Sequence, residues 1–207
     1  MHYGVRIFFV SGFLERFKRK KPKFQGFGFD GRGHTPALVR AITQFFRNNT
    51  PGGVYIMAGT PTHWRTGEGD ADRNPDFLQV WLNEFDAISP WTVGRFSTEQ
   101  EADNFARTKM KSDLELITNG NQGGNTRKVD YIPVVFPGFS VSFLFSLHRK
   151  LILHSSYLSK LLKGYNLSEG KWGFNGFKRQ GGRFLWKQIF NVHQLGIHII
   201  YGAMWDE

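Results

Sequence analysis

The sequence predicts an α/β protein of about five mainly parallel strands with helices between them. Two observations lead there. Short β-type apolar runs alternate along the chain with segments whose apolar residues recur at spacings of three and four, the order that lays helices over a parallel sheet. The length, 207 residues, allows one domain with a sizeable core but falls short of the roughly 250 residues of a closed eight-stranded barrel. By itself the alternation leaves an open sheet and a closed barrel as alternatives.

The first strand is expected over residues 24–29, where phenylalanine and glycine alternate. Thr35-Pro36 then supplies an N-cap with proline at the first helical position, and Leu38, Ile42, Phe45 and Phe46 continue at helical spacing. The polar stretch 48–53 ends that helix and 54–58 reads as a buried strand. After a polar loop over 60–74, residues 76–85 carry Phe77, Val80, Trp81 and Phe85 on one side of a helix. Residues 87–89 begin a third strand. Ser97 or Thr98 caps the next helix, and Glu99 and Glu101 in its first turn suit the helix dipole. Residues 131–136 read as a strand weakened by Pro133. Residues 182–195 read as a helix and 197–201 as the last strand, with His198 packed inside it.

The formal net charge of +10 invites a nucleic-acid reading, so its distribution matters. Residues 1–23 hold seven basic side chains against Glu15 alone, and residues 141–163 hold four with no acid. These two segments carry the whole excess, and the rest of the chain is balanced. A neutral body with two basic patches is not a nucleic-acid-binding domain by charge alone, so no nucleic-acid partner is expected. No apolar run reaches the length of a membrane span, and Ile7-Phe8-Phe9-Val10 is followed by dense charge without a cleavage site, so no signal peptide is visible. There is no cysteine, which rules out disulfides and thiolate metal sites. His34, His63, His193 and His198 lack metal-ligand spacing. Neither Gly26-Phe27-Gly28 nor Gly31-Arg32-Gly33 completes a phosphate-cradling loop. No metal or other cofactor is expected.

Polar and aromatic residues cluster after the expected strands: Asp30, Arg32 and His34; His63, Trp64 and Arg65; Trp91 and Arg95; Trp205, Asp206 and Glu207. In parallel α/β folds the C-terminal strand ends converge on one face, where ligands bind. Glycoside cleavage needs two carboxylates flanking the bond. Asp206, Glu207 and Asp30 are the candidate acids, and adjacent Asp206 and Glu207 point to opposite faces of an extended strand, so at most one can face a cleft. Asp70, Asp72 and Asp86 are expected in solvated loops. His34, His63, Trp64, Arg65, Trp91, Arg95 and Trp205 are the candidate sugar contacts, tryptophan by stacking and the others by hydrogen bonds to hydroxyls.

At these residues the chain resembles the family 71/99-like glycoside hydrolases, some of them labelled xylosidase/arabinosidase. The resemblance rests on the runs Gly26-Phe27-Gly28-Phe29, Gly59-Thr60-Pro61-Thr62-His63-Trp64-Arg65, Ile88-Ser89-Pro90-Trp91-Thr92-Val93-Gly94-Arg95, Pro133-Val134-Val135-Phe136-Pro137-Gly138-Phe139-Ser140 and Gly181-Gly182-Arg183-Phe184-Leu185-Trp186, followed by Tyr201-Gly202-Ala203-Met204-Trp205-Asp206-Glu207. It implies hydrolysis of O-glycosidic bonds without a metal, on a (β/α)8 TIM-type barrel. The chain would then be its C-terminal half, an incomplete open barrel of about five parallel strands whose unpaired edges favour self-association. The Glu-Pro-Tyr motif that carries the catalytic glutamates in the endomannosidase branch is absent, so no catalytic role carries over residue by residue. The partner carboxylate is expected on the missing or altered part, which leaves little activity. Residues 1–23 match nothing in the family. Residues 141–164 form a basic insert whose removal would join Ser140 to Tyr165 in a family-like run. That insert reads as a translated, retained intron, or else as an amphipathic helix with Leu147, Leu151, Leu158 and Leu161 on one side. Two other function classes stand beside the hydrolase: a non-catalytic carbohydrate-binding remnant, and an electrostatic binder of nucleic acid or membrane surface through residues 16–23 and Arg149-Lys150.

Overall fold

The computed structural model describes residues 7–10, 27–123, 127–138 and 177–204. Two small parallel sheets replace the half-barrel expected from the sequence. The first has four strands in the order β1 (Ile7–Val10), β2 (Tyr55–Thr60), β3 (Ala87–Pro90), β4 (Asp130–Tyr131). The second pairs β5 (Val134–Val135) with β6 (Tyr201–Gly202). Between successive parallel strands lie α1 (Pro36–Asn49), α2 (Asp76–Glu84) and a long helical stretch. Parallel strands require such crossovers, because a tight turn cannot return the chain to the same end. The long stretch runs as α3 (Glu99–Phe105), a π-helical turn at Ala106–Met110 and α4 (Lys111–Gln122). The last helix, α5 (Arg183–Gln194), precedes β6.

Four strand assignments change, each for a physical reason. The strand expected at 24–29 is not formed over its described part. Gly28, Gly31 and Gly33 take positive φ of 69, 71 and 70°, so the segment turns, touching another strand-like residue only in an isolated antiparallel bridge from Phe29 to Ala71. Residues 24–26 lie outside the described residues. The first strand is instead Ile7–Val10, inside the segment set apart as basic and unmatched, and it runs parallel to β2 in the register Ile7 to Tyr55. The strand expected at 131–136 is split at Pro133. Asp130 and Ile132 N–H donate to Asp86 O at 2.8 Å and Ile88 O at 2.9 Å, and the pairing with β3 ends there. Beyond it the chain turns to new partners: Tyr201 N–H donates to Pro133 O at 3.0 Å and Ala203 N–H to Val135 O at 2.9 Å. The last strand shrinks from 197–201 to Tyr201–Gly202, and His198 is exposed rather than packed.

The helices follow the local signals. Thr35 caps α1, its Oγ1 accepting from Leu38 N–H at 3.2 Å, with Pro36 in the first turn. Thr98, of the two candidates, caps α3, accepting from Glu101 N–H at 3.1 Å, while the Glu101 carboxylate accepts from Ser97 N–H at 2.7 Å. The cap satisfies one amide donor that the helix itself leaves open, and the Glu101 carboxylate fastens the residue before the cap. Thr35→Ala should cost about 1 kcal/mol, seen as a melting temperature lower by roughly 2–4 °C. An unchanged melt would show that this cap is idle.

The main core lies between the first sheet and its helices and includes Val39, Ile56, Phe77, Val80, Trp81, Phe85, Ile88 and Ile117. Trp81 stacks on Phe77 with ring centres 5.5 Å apart and tilts against Phe85 at 5.4 Å. Gly28 is required beneath it, because a Cβ there would come within 2.5 Å of the indole. A second core of Phe96, Phe136, Phe177 and Phe184 fastens α3 and α5 around β5. Many of the aromatic residues therefore serve packing. The N-terminal ends of β2, β3 and β4 are tied by polar bonds. Asp86, expected in a solvated loop, accepts from Ile56 N–H at 2.8 Å and pairs with Arg47 at 2.9 Å, while Tyr55 donates to Asp130 at 2.6 Å. No helix among the described residues is long and apolar enough to cross a membrane. Most of 1–23 and all of 141–164 lie outside the described residues, so the readings of those segments as basic tail and insert fall outside them too.

Candidate functional site

At the opposite, C-terminal ends of β2 and β3 the chain gathers polar side chains. After Thr60 the backbone turns at Pro61, runs through Thr62, His63, Trp64 and Arg65, and loops back by way of Gly67 and Gly69, whose φ values of 64 and 57° permit the reversal. The loop returns Asp70 to its own beginning. Asp70 Oδ1 accepts from the His63 N–H at 3.1 Å and lies 2.8 Å from His63 Nδ1. Its Oδ2 accepts from Thr62 N–H at 3.0 Å and from Arg95 Nη2, which arrives from the loop after β3. Arg95 Nε also donates to Thr62 Oγ1 at 2.8 Å, and that hydroxyl donates to the Trp91 carbonyl at 2.5 Å. Burial alone would raise the Asp70 carboxyl, but the Arg95 charge, the His63 side chain and the Thr62 and His63 amides together hold it below its ordinary value of 3.8. Asp70 was expected in a solvated loop; it is instead largely buried and fully hydrogen-bonded.

Immediately beside this network, Trp64 and Arg65 turn inward. Trp64 Nε1 donates to Asp113 Oδ2 at 3.1 Å, Arg65 Nε donates to Asp113 Oδ1 at 2.9 Å, and the Tyr131 hydroxyl lies 3.4 Å from Oδ2. Asp113 projects from the buried face of α4, between Met110 and Ile117. Burial lifts its carboxyl above the ordinary range, and Arg65, Trp64 and Tyr131 offset only part of that. Asp113 thus locks the strand-end loop to α4 and β4. With a residue exposure of 3 %, Trp64 has its ring face committed to the interior.

The structure therefore brings His63 and Arg95 together at Asp70, with the Trp91 backbone joined to them through Thr62 and Trp91 itself 39 % exposed. Trp64 and Arg65 lie beneath, on the wall of a small cleft of about 150 Å³ shared with Gly28, Asp72 and Trp81. That is below the roughly 300–1,000 Å³ of a typical ligand pocket. Asp30 is linked to this region through its backbone, its N–H donating to Asp70 O at 3.0 Å, while its side chain is exposed. His34 packs edge-on against Phe27 at 5.1 Å. Trp205, Asp206 and Glu207 lie outside the described residues. Among the described residues no group of three histidine, aspartate or glutamate side chains could hold a metal ion.

Asp70 and Asp113 are the two residues that sequence reasoning passed over. A faint signal existed for each. Asp70 follows two glycines within seven residues of a His-Trp-Arg run, and Asp113 is an acid spaced three and four from Met110 and Ile117 on an apolar helix face. Chemically, the surface offers a fixed anion, a histidine ring held by it and a guanidinium. Compared with known proteins, the chain matches no family model, no curated protein and no solved structure.

Proposed function

We propose that this chain is a glycoside-hydrolase-like protein that binds carbohydrate and turns it over little or not at all. The observation that carries the reading is the Asp70-centred network at the C-terminal ends of β2 and β3, which fixes His63 and Arg95 and is joined through Thr62 to the backbone of the exposed Trp91. An indole face with polar hydrogen-bonding groups at its border is what a sugar ring requires, since its C–H faces are apolar and its rim carries hydroxyls. The motif resemblance to glycoside hydrolases supports the same substrate class.

Low turnover is supported by the two largely buried carboxylates among the described residues at this surface. A glycosidase needs one acid that is protonated at working pH and one base or nucleophile. Asp70 is held as an anion by Arg95 and His63, which unfits it as the acid. Asp113 has a raised carboxyl, but Arg65, Trp64 and Tyr131 surround it, so it faces no leaving group.

Titration of the chain with xylo- and arabino-oligosaccharides, followed by tryptophan fluorescence, tests the binding. Trp91→Ala should weaken it roughly tenfold, the loss of about 1–1.5 kcal/mol of ring stacking. Binding that vanishes with added salt, or that ignores Trp91→Ala, would point instead to electrostatic attachment. Efficient hydrolysis of aryl xylosides or arabinosides, abolished by Asp206→Asn together with Glu207→Gln, would overturn the claim of low turnover.

A further inference from the structure

Every acceptor site on Asp70 is occupied. An ionised carboxylate offers about four lone-pair positions and can only accept. Here two are taken by the N–H groups of Thr62 and His63, one by Arg95 Nη2 and one by His63 Nδ1. Because the carboxylate is held as an anion, Nδ1 has to supply the hydrogen of that 2.8 Å contact. In a neutral imidazole the other nitrogen, Nε2, is then left with its lone pair. The ring has little freedom to leave this position: the backbone at Gly69 passes so close that a Cβ there would lie 2.8 Å from Nδ1. Arg95 is pinned at the same carboxylate through Nη2 and at Thr62 through Nε, with no hydrogen-bond partner for Nη1 among the described residues.

We propose that Asp70 is the positioning residue of this site, fixing His63 in the Nδ1–H form so that Nε2 accepts from a ligand hydroxyl while Arg95 donates to a neighbouring one. One acceptor and one donor held by a single carboxylate match two adjacent hydroxyls, one donating and one accepting, as on a sugar ring. The hydroxyl match rests on the carbohydrate reading above; the form of His63 does not.

Long-range proton–nitrogen correlation spectra of the intact chain report which ring nitrogen of His63 carries the hydrogen. At a pH where the ring is neutral, the wild-type chain should carry it on Nδ1. Asp70→Asn should move population to the Nε2–H form and weaken xylotriose binding roughly tenfold or more, the loss expected when a charge-assisted hydrogen bond is removed. A merely structural Asp70 would lower the melting temperature in Asp70→Asn and leave the ring form as it was, which overturns the proposal. So does a wild-type His63 with its hydrogen on Nε2, a result that stands even if the variant fails to fold. A wild-type chain with Nδ1–H that binds no xylotriose overturns the hydroxyl match and the carbohydrate reading, and upholds the positioning of His63.

Discussion

Trp81→Ala should cost about 3–5 kcal/mol of stability, the range for removing a large aromatic from a core that can only partly collapse. Trp81 is 1 % exposed and stands between Phe77 and Phe85, with the Gly28 backbone directly against its ring. Phe77 on α2, Phe85 at its C-cap and the glycine-rich turn near residue 28 therefore lose a shared partner. The turn is held to the loop at 70–72 by only two backbone bonds, from Asp30 to Asp70 and from Asp72 to Gly28. Urea unfolding should show a lower midpoint at unchanged slope, and the melting temperature should fall by roughly 10 °C. A loss under about 1 kcal/mol would mean that the indole is not packed as described.

Asp113→Ala should be comparably damaging, at about 3 kcal/mol, because it strands the buried Trp64 donor and leaves the half-buried Arg65 unpaired. Trp64 Nε1 loses its acceptor, and Arg65, 26 % exposed at its side chain, loses its ion pair. Asp113→Asn should cost less, since its amide oxygen still accepts from one of the two. The pH dependence adds a sharper check. Asp113 has its carboxyl raised in the fold, so the folded chain holds that proton more tightly than the unfolded one. Its contribution to stability is present in acid below the ordinary value of 3.8 and is lost as pH rises through the folded value. Asp70 has its carboxyl lowered, so its contribution is present above 3.8 and is lost as pH falls through its folded value. Relative to wild type, Asp113→Asn should therefore lose more stability in acid than at neutral pH, and Asp70→Asn the reverse. Unfolding curves across that range with the same trend in both variants would show that the two carboxyls are not pushed apart.

Some of this arrangement was legible along the chain. The caps at Thr35 and Thr98 and the apolar stripe Phe77, Val80, Trp81 and Phe85 could be read because each involves residues three or four apart. The strand cores at Ile56-Met57-Ala58 and Ala87-Ile88-Ser89 were equally readable as short buried runs. The internal wiring of the surface beyond β2 and β3 was not legible. Trp64 and His63 are neighbours in sequence, yet one turns into Asp113 and the other rests on Asp70.

By itself the sequence determined the α/β class and the helices, because these depend on local periodicity. Only the tertiary structure decided the sheet arrangement and the roles of the acids. Ile7–Val10 becomes a strand because β2 offers it an edge, a partner 48 residues away in the register Ile7 to Tyr55. The strand read over 131–136 divides at Pro133, because the carbonyls of Pro133 and Val135 find the N–H groups of Tyr201 and Ala203 in the last strand. Asp70 and Asp113 differ from other aspartates only through the donors folded around them: Arg95 lies 25 residues from Asp70, and Arg65 lies 48 from Asp113. Burial and pairing at such separations are properties of the closed fold, and no window of neighbouring residues contains them.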